Sequence, residues 1–193
     1  MPRTEYADNP LDNEMARYFW HRIPIERCAA LFFYKSGSAS SNIIFKLKYC
    51  HRPDIAVEMG RILANEFLPK GFFDNIDIIV PVPLARKRER ERGYNQSVEI
   101  ARGVSDVTGI PINDRVVRRN SFIASQTRKG HWERADNVEG VFDLLDTGTI
   151  HSKHILIIDD VVTTGATICA CGKQLAMAGD VKISVLSLAF TKS

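Results

Sequence analysis

Nine consecutive residues, Asp159-Asp160-Val161-Val162-Thr163-Thr164-Gly165-Ala166-Thr167, carry the densest chemistry in this sequence. The aliphatic run Ile155–Ile158 leads into them and an apolar-periodic segment follows. A strand of that kind sets two adjacent carboxylates at the rim of a sheet. A turn of small residues lets backbone N–H groups approach a ligand closely. The helix that follows adds unpaired N–H donors and a partial positive charge, which suits a phosphate. The hydroxyls of Thr163, Thr164 and Thr167 are further donors. Carboxylates beside a phosphate loop make sense if they face sugar hydroxyls or a Mg²⁺ ion rather than the phosphate.

A second concentration of charge is Arg86, Lys87, Arg88, Arg90 and Arg92, interleaved with Glu89 and Glu91, a net +3 in seven residues. It follows the strand candidate Ile76–Val80 and Pro81-Val82-Pro83. Five cations beyond a strand end suit a diphosphate, because arginine pairs bidentately with phosphate oxygens. The same alternation would also lace a solvated helix face or meet a nucleic-acid backbone. The arginines alone do not choose among these. A third polar stretch, Ser121–Gly140, holds Arg128, Lys129, His131 and Arg134 around Gly130. The five histidines show no metal-site spacing. No Gly-x-Ser-x-Gly elbow supports a serine nucleophile.

The elements that must position these residues read as an alternation. Residues 1–20 read as an arm, helical near Asn13–Trp20. Cys28–Tyr34 has the length of a strand, and Ser36–Asn42 is a polar break. Asp54–Leu68 has helical spacing, with Asp54 as its N-cap. Asn95–Thr108 is a helix closed by Ile110-Pro111. Arg115–Val117 and Val141–Leu145 are short strands, Ala166–Ala178 is a helix stopped by Gly179, and Val181–Phe190 is a long strand. Strand, crossover helix and strand in this order predict an α/β fold with a mostly parallel sheet covered on both faces. In such sheets ligands sit beyond the carboxyl ends of the strands.

The strand, acid pair and Thr-Thr-Gly-Ala-Thr loop resemble the phosphoribosyl-diphosphate (PRPP) signature of type I phosphoribosyltransferases. The resemblance implies that Asp159 and Asp160 hold the ribose hydroxyls and act at the reacting centre, and that Thr163, Thr164, Gly165, Ala166 and Thr167 wrap the 5′-phosphate. Pro81-Val82-Pro83-Leu84 and Arg92-Gly93-Tyr94-Asn95-Gln96 narrow it, together with Ile23-Pro24-Ile25-Glu26-Arg27, Leu47-Lys48-Tyr49, and Gln126-Thr127 with Arg134, Asn137, Gly140 and Phe142. These are similar to the ComF family, also called GntX-like or amidophosphoribosyltransferase-like, over residues 18–190.

That resemblance implies a type I phosphoribosyltransferase-like sheet over residues 21–193, with a small hood at 18–50. It implies Mg²⁺ bound mainly through PRPP, a small nitrogenous acceptor, and Arg86, Lys87, Arg88, Arg90 and Arg92 on the diphosphate. Arg128, Lys129 and Arg134 would belong to a loop that closes over the ligand and excludes water. It also brings a second possibility, a non-catalytic PRPP- or nucleotide-sensing protein that handles single-stranded DNA with the competence machinery. Homodimers are common among such enzymes. ComF-like proteins usually begin with a four-cysteine zinc module, and nothing of it stands in this sequence, so no role of that module is carried over.

The bulk numbers agree with one ordinary domain. The chain has 193 residues, 45% of them hydrophobic and 25% charged, which excludes collagen, a coiled-coil rod and full disorder. A formal charge of +3 announces neither a nucleic-acid nor a membrane protein. Cys28, Cys50, Cys169 and Cys171 show no zinc or disulfide spacing and read as buried free thiols of a reducing compartment. No signal peptide or membrane span is legible, so a cytoplasmic location is expected.

Overall fold

The structure is a computed structural model that describes residues 1–120 and 140–192. Its centre is a four-stranded, all-parallel sheet. Strand β1 covers Ile25–Phe33, β2 Ile78–Pro81, β5 His154–Val162 and β6 Lys182–Phe190, in the order β1-β6-β5-β2. The sequence of β5 explains its central place: from His154 to Ile158 every residue is buried, and both edges are paired, to Leu186 and Pro81 at Ile158. A strand covered on both faces reads as a continuous aliphatic run. Beyond β2, Ile112 adds a single parallel bridge to Ile79. Because all four strands run the same way, Tyr34, Asp159–Val162 and Val82 come together at one edge of the sheet.

One face is covered by α3 (Pro53–Phe67) and α5 (Gln96–Thr108), preceded by α2 (Ala39–Tyr49). Ala56, Leu63, Phe67, Ile100 and Val104 pack on Ile79, Leu156, Ile158 and Leu186. The two helices meet almost backbone to backbone. A Cβ on Gly103 would lie 2.0 Å from the Val57 carbonyl oxygen, and one on Gly60 2.2 Å from that of Ile100. This close crossing fixes where the first turn of α5 arrives at the sheet edge.

The other face is covered by α1 (Glu14–Arg17), α6 (Ala166–Ala176) and a two-stranded antiparallel ribbon of β3 (Val117–Arg119) and β4 (Phe142–Leu144). Residues 1–20, read as an arm, lie against this body. Met15, Ala16 and Phe19 are buried, Arg3 bridges to Phe32, and the Thr4 hydroxyl donates to the Ala30 carbonyl. The expected hood at 18–50 includes β1, an edge strand of the main sheet, and α2. The basic run becomes a separate short helix, α4 (Arg86–Arg92), ended by Gly93 at φ 77°.

Several expectations need correction. Asp54 is not the cap of α3. The N-cap is Arg52, with Pro53 in the first turn and the Asp54 carboxylate bound back to the Arg52 guanidinium at 2.6 Å. Proline fits the first helical position because its missing N–H is not needed there. The polar break 36–42 is half absorbed into α2, which starts at Ala39. Of the four thiols only Cys28, Cys169 and Cys171 are buried, whereas Cys50 follows the last turn of α2 and is exposed. His154 is a core residue, its Nε2 2.8 Å from Ser184 Oγ. No helix among the described residues is long and apolar enough to cross a membrane.

Candidate functional site

The C-terminal edge of the sheet opens into a cavity of about 510 Å³. Its floor is Asp159, Asp160 and Val161 at the end of β5, with Thr163 and Thr167 beside them. A smaller recess of about 40 Å³ continues from Asp159 through residues 161–168. All seven rim residues of the sequence motif, Asp159, Asp160 and Thr163 to Thr167, therefore border one or other of two neighbouring hollows that share Asp159, Thr163 and Thr167.

The turn is shaped from behind. Gly165 has φ 71°, a conformation other L-residues rarely adopt, and a Cβ there would lie 2.9 Å from the Phe19 ring. The N-terminal segment thus backs the loop, and only glycine fits between the two. Thr163 and Thr164 are exposed, and the helix α6 begins at Ala166 with its first amides at the recess.

The two acids differ. Asp160 is 4% exposed. Its Oδ2 accepts from Gln96 Nε2 at 3.0 Å and lies 3.2 Å from Lys48 Nζ. Asp159 is half-buried, and its Oδ1 accepts from Ser97 Oγ at 3.0 Å and from the Asp160 N–H at 2.9 Å. Burial, with the Asp160 charge beside it, pushes the Asp159 pKa up from 3.8 to about 7, against the pull of those hydrogen bonds and of Lys48. The adjacent Cys171 thiol is pushed up to about 12, by burial first and by Asp159 second. Both acids are thus held by the first turn of α5, which Asn95 caps by accepting from the Ser97 N–H at 3.0 Å. Gln96 is 4% exposed, and its Oε1 is buried with no hydrogen-bond partner.

The facing wall comes from α2 and α4. Ser41, Ile44, Phe45, Lys48 and Tyr49 form one helical face of α2 toward the cavity. Phe45 and Tyr49 are 56% and 64% exposed, with ring centroids 5.1 Å apart. The two helices are tied together: the Tyr94 hydroxyl donates to the Leu47 carbonyl, and His51 Nδ1 lies 2.8 Å from the Arg92 carbonyl oxygen.

The five cations of α4 separate. Arg88 and Arg92, one turn apart, line the cavity. Arg86 lines a different hollow beside β3. Lys87 pairs with Glu91 at 3.9 Å on the outer face, and Arg90 bonds back to the Arg86 carbonyl at 3.4 Å. Arg128, Lys129 and Arg134 lie outside the described residues. Among the described residues, no group of three or more His, Cys, Asp or Glu side chains is gathered to hold a metal ion.

Sequence reasoning missed four cavity residues: Lys48, Gln96, Ser97 and Arg119. Gln96 and Ser97 carried a signal, since Gln96 ends the family-like Arg92–Gln96 string and Ser97 follows it. Lys48 stands in the family-like Leu47-Lys48-Tyr49 string, whereas Arg119 carried no signal, because only the fold brings it to the cavity.

No family model matches the chain. Among curated proteins, the DNA utilization protein YhgH of Escherichia coli (strain K12) is 30% identical over 154 residues, 78% of this chain and 67% of that protein. Competence protein F of Haemophilus influenzae is 31% identical over 114 residues, 58% of this chain and 50% of that protein. Among solved structures, a glutamine PRPP amidotransferase from B. subtilis aligns with a TM-score of 0.47 and 18% identity, over 73% of this chain and 30% of that one.

Proposed function

The chain belongs to the ComF family, and from that premise we propose that its sheet edge binds PRPP and transfers the 5-phosphoribosyl group to a nitrogen nucleophile. The observation that carries this reading is the pair of neighbouring hollows, sharing Asp159, Thr163 and Thr167, around which an acid pair and a Thr-Thr-Gly-Ala-Thr turn meet. The 5′-phosphate sits on the turn, whose residues Thr163 to Thr167 line the recess and offer backbone N–H groups and hydroxyls as donors. Asp159 and Asp160 accept from the ribose hydroxyls. Lys48 and Gln96 keep Asp160 in place while it does so.

The site fits Mg²⁺ only in company with the ligand. Two carboxylates are present without a third protein ligand, so Asp159 and Asp160 would hold the ion through ligand oxygens and water. When bound, the ion neutralises charge on the departing diphosphate. The chain's own part is positioning and electrostatics. As the C1–O bond breaks, its electron pair leaves on the diphosphate, and the nitrogen lone pair forms the C1–N bond. Positive charge grows on the ribose ring near the two carboxylates, while Arg88 and Arg92 face the leaving group.

The test is a titration of Mg-PRPP into the wild-type chain and the Asp159→Asn, Asp160→Asn double variant, followed by a diphosphate-release screen across nucleobases, ammonia and glutamine. The proposal expects PRPP binding that the double variant loses. Unchanged affinity in that variant would move the site elsewhere.

One observation favours a second reading. The exposed Phe45–Tyr49 pair, with the Arg92 guanidinium 5.8 Å from the Tyr49 ring centroid, joins aromatic faces to cations at the mouth. Such a surface suits stacked bases of single-stranded DNA, and the relatives are named for DNA utilization and competence. A ComF-type accessory protein that senses PRPP or a nucleotide while handling DNA would use it. Salt-dependent binding of single-stranded DNA, lost in Phe45→Ala, Tyr49→Ala and unaccompanied by diphosphate release with any acceptor, would favour this reading over catalysis.

A further inference from the structure

Helix α2 is thinly held. Of its eleven residues only Ser40, Ile44 and Leu47 are buried, while Phe45 and Tyr49 are largely exposed. Yet this helix carries Lys48 to the Asp160 carboxylate and supplies much of the cavity wall. An element with so few buried apolar contacts opens locally at little cost. Its position therefore depends on discrete polar ties.

These ties converge on the corner between α2 and α3. The last carbonyls of a helix have no partner within it, and Leu47 is fully buried, so water does not supply the missing donor. The Tyr94 hydroxyl supplies it, donating to the Leu47 carbonyl. The Arg52 N–H, at the entry to α3, faces the same hydroxyl. Between the two helices His51 takes a left-handed conformation, φ 49°, and its ring is tied to the Arg92 carbonyl. Burial, the largest cause, raises the Tyr94 pKa above the usual phenol value, so the hydroxyl keeps the proton it donates. Tyr94 itself lines neither the large cavity nor the recess beside it.

We infer that Tyr94 is a positioning residue: its hydroxyl fixes the α2–α3 corner so that Lys48 meets Asp160, and through Lys48 it sets the affinity of the rim for its ligand. This rests on the reading of the rim given above. Leu47 and Lys48 are adjacent, so the carbonyl that Tyr94 holds belongs to the same helical turn as the lysine stem. Two residues beyond Tyr94, Gln96 donates to the same Asp160 Oδ2 that Lys48 approaches. The stretch Tyr94–Gln96 therefore acts on Asp160 twice, directly through the Gln96 amide and indirectly through the Tyr94 hydroxyl. Without that hydroxyl, Lys48 reaches Asp160 for a smaller fraction of the time, and the competent rim is less populated.

The experiment titrates ribose 5-phosphate into the full chain, Tyr94→Phe, Lys48→Met and the double variant, and follows amide hydrogen exchange in the wild type and Tyr94→Phe. Tyr94→Phe removes one oxygen and keeps the ring. It should weaken ribose 5-phosphate about three- to tenfold, the range for one lost hydrogen bond. Because the hydroxyl acts through Lys48, the double variant should bind no more weakly than Lys48→Met alone. A merely structural role would not produce that non-additivity. Exchange in Tyr94→Phe should quicken over residues 39–52 and stay as in the wild type over α5 and β5. Unchanged affinity in Tyr94→Phe, losses that multiply in the double variant, or exchange quickened throughout the chain would each overturn the positioning role and keep the rim reading. A wild-type chain that does not bind ribose 5-phosphate would overturn the rim reading, and the role of Tyr94 with it.

Discussion

The two sides of the cavity are built on different principles. The rim is backbone: a strand buried on both faces, a glycine pressed on Phe19, and a helix start, with both acids held by the first turn of α5. The wall is side chain: long cations and aromatic rings projected from α2, α4 and β3, several of them exposed. A rigid side suits the part of a ligand that must be positioned within tenths of an ångström. An adaptable side suits a leaving or incoming group that changes during a reaction.

The largest effect is expected where the rim's shape is attacked directly. Gly165→Val forces a branched side chain into a left-handed position against Phe19, and should destabilise the fold by about 3 kcal/mol. Urea unfolding would measure it, with loss of ribose 5-phosphate binding alongside. Next comes the tie between the two sides. Lys48→Met leaves Asp160 in a buried place with only Gln96, and should cost about 2 kcal/mol, below the value for a fully buried pair because Lys48 is partly exposed. If it costs nothing, the wall does not brace the rim.

A smaller effect sharpens the difference between the acids. With its pKa at about 7 in the fold against 3.8 ordinarily, Asp159 keeps a proton that the unfolded chain has released across that interval. Stability contributed by neutral Asp159 is therefore lost as pH rises from about 4 to about 7. Asp159→Asn has no such dependence, so its Tm should gain on wild type between pH 5 and pH 8. Parallel Tm-against-pH curves would show that Asp159 is ionised throughout. Smallest of all is the outer face of α4. Lys87→Gln and Arg90→Gln should each change stability by less than about 0.5 kcal/mol. Neither should alter diphosphate affinity, in contrast to Arg88→Gln.

The same division decides what was legible in the sequence. The rim is contiguous, so its acids, its hydroxyls and the helix after them could be read in a line, and the parallel sheet followed from the aliphatic runs that lead to it. The wall is assembled from residues far apart. Lys48 reaches Asp160 only because α2 lies over the end of β5. Arg119 reaches the cavity only because β3 ends beside it. Within α4 the composition was plain, but the division of its cations between inner and outer faces needed the helix to be placed. The cap of α3 was misassigned because Asp54 is a good capping residue type, while Pro53 before it already occupies the first turn. The close approach of Gly60 and Gly103, which aims α5 at the acids, has no signature beyond two glycines in helical segments.

The most direct test of the central claim is a crystal structure of the full chain with ribose 5-phosphate. The account predicts the phosphate on the backbone amides of Thr163–Thr167 and the ribose hydroxyls within hydrogen-bond distance of Asp159 and Asp160. A phosphate seated on the arginines of α4, with the Thr163–Thr167 turn vacant, would contradict it.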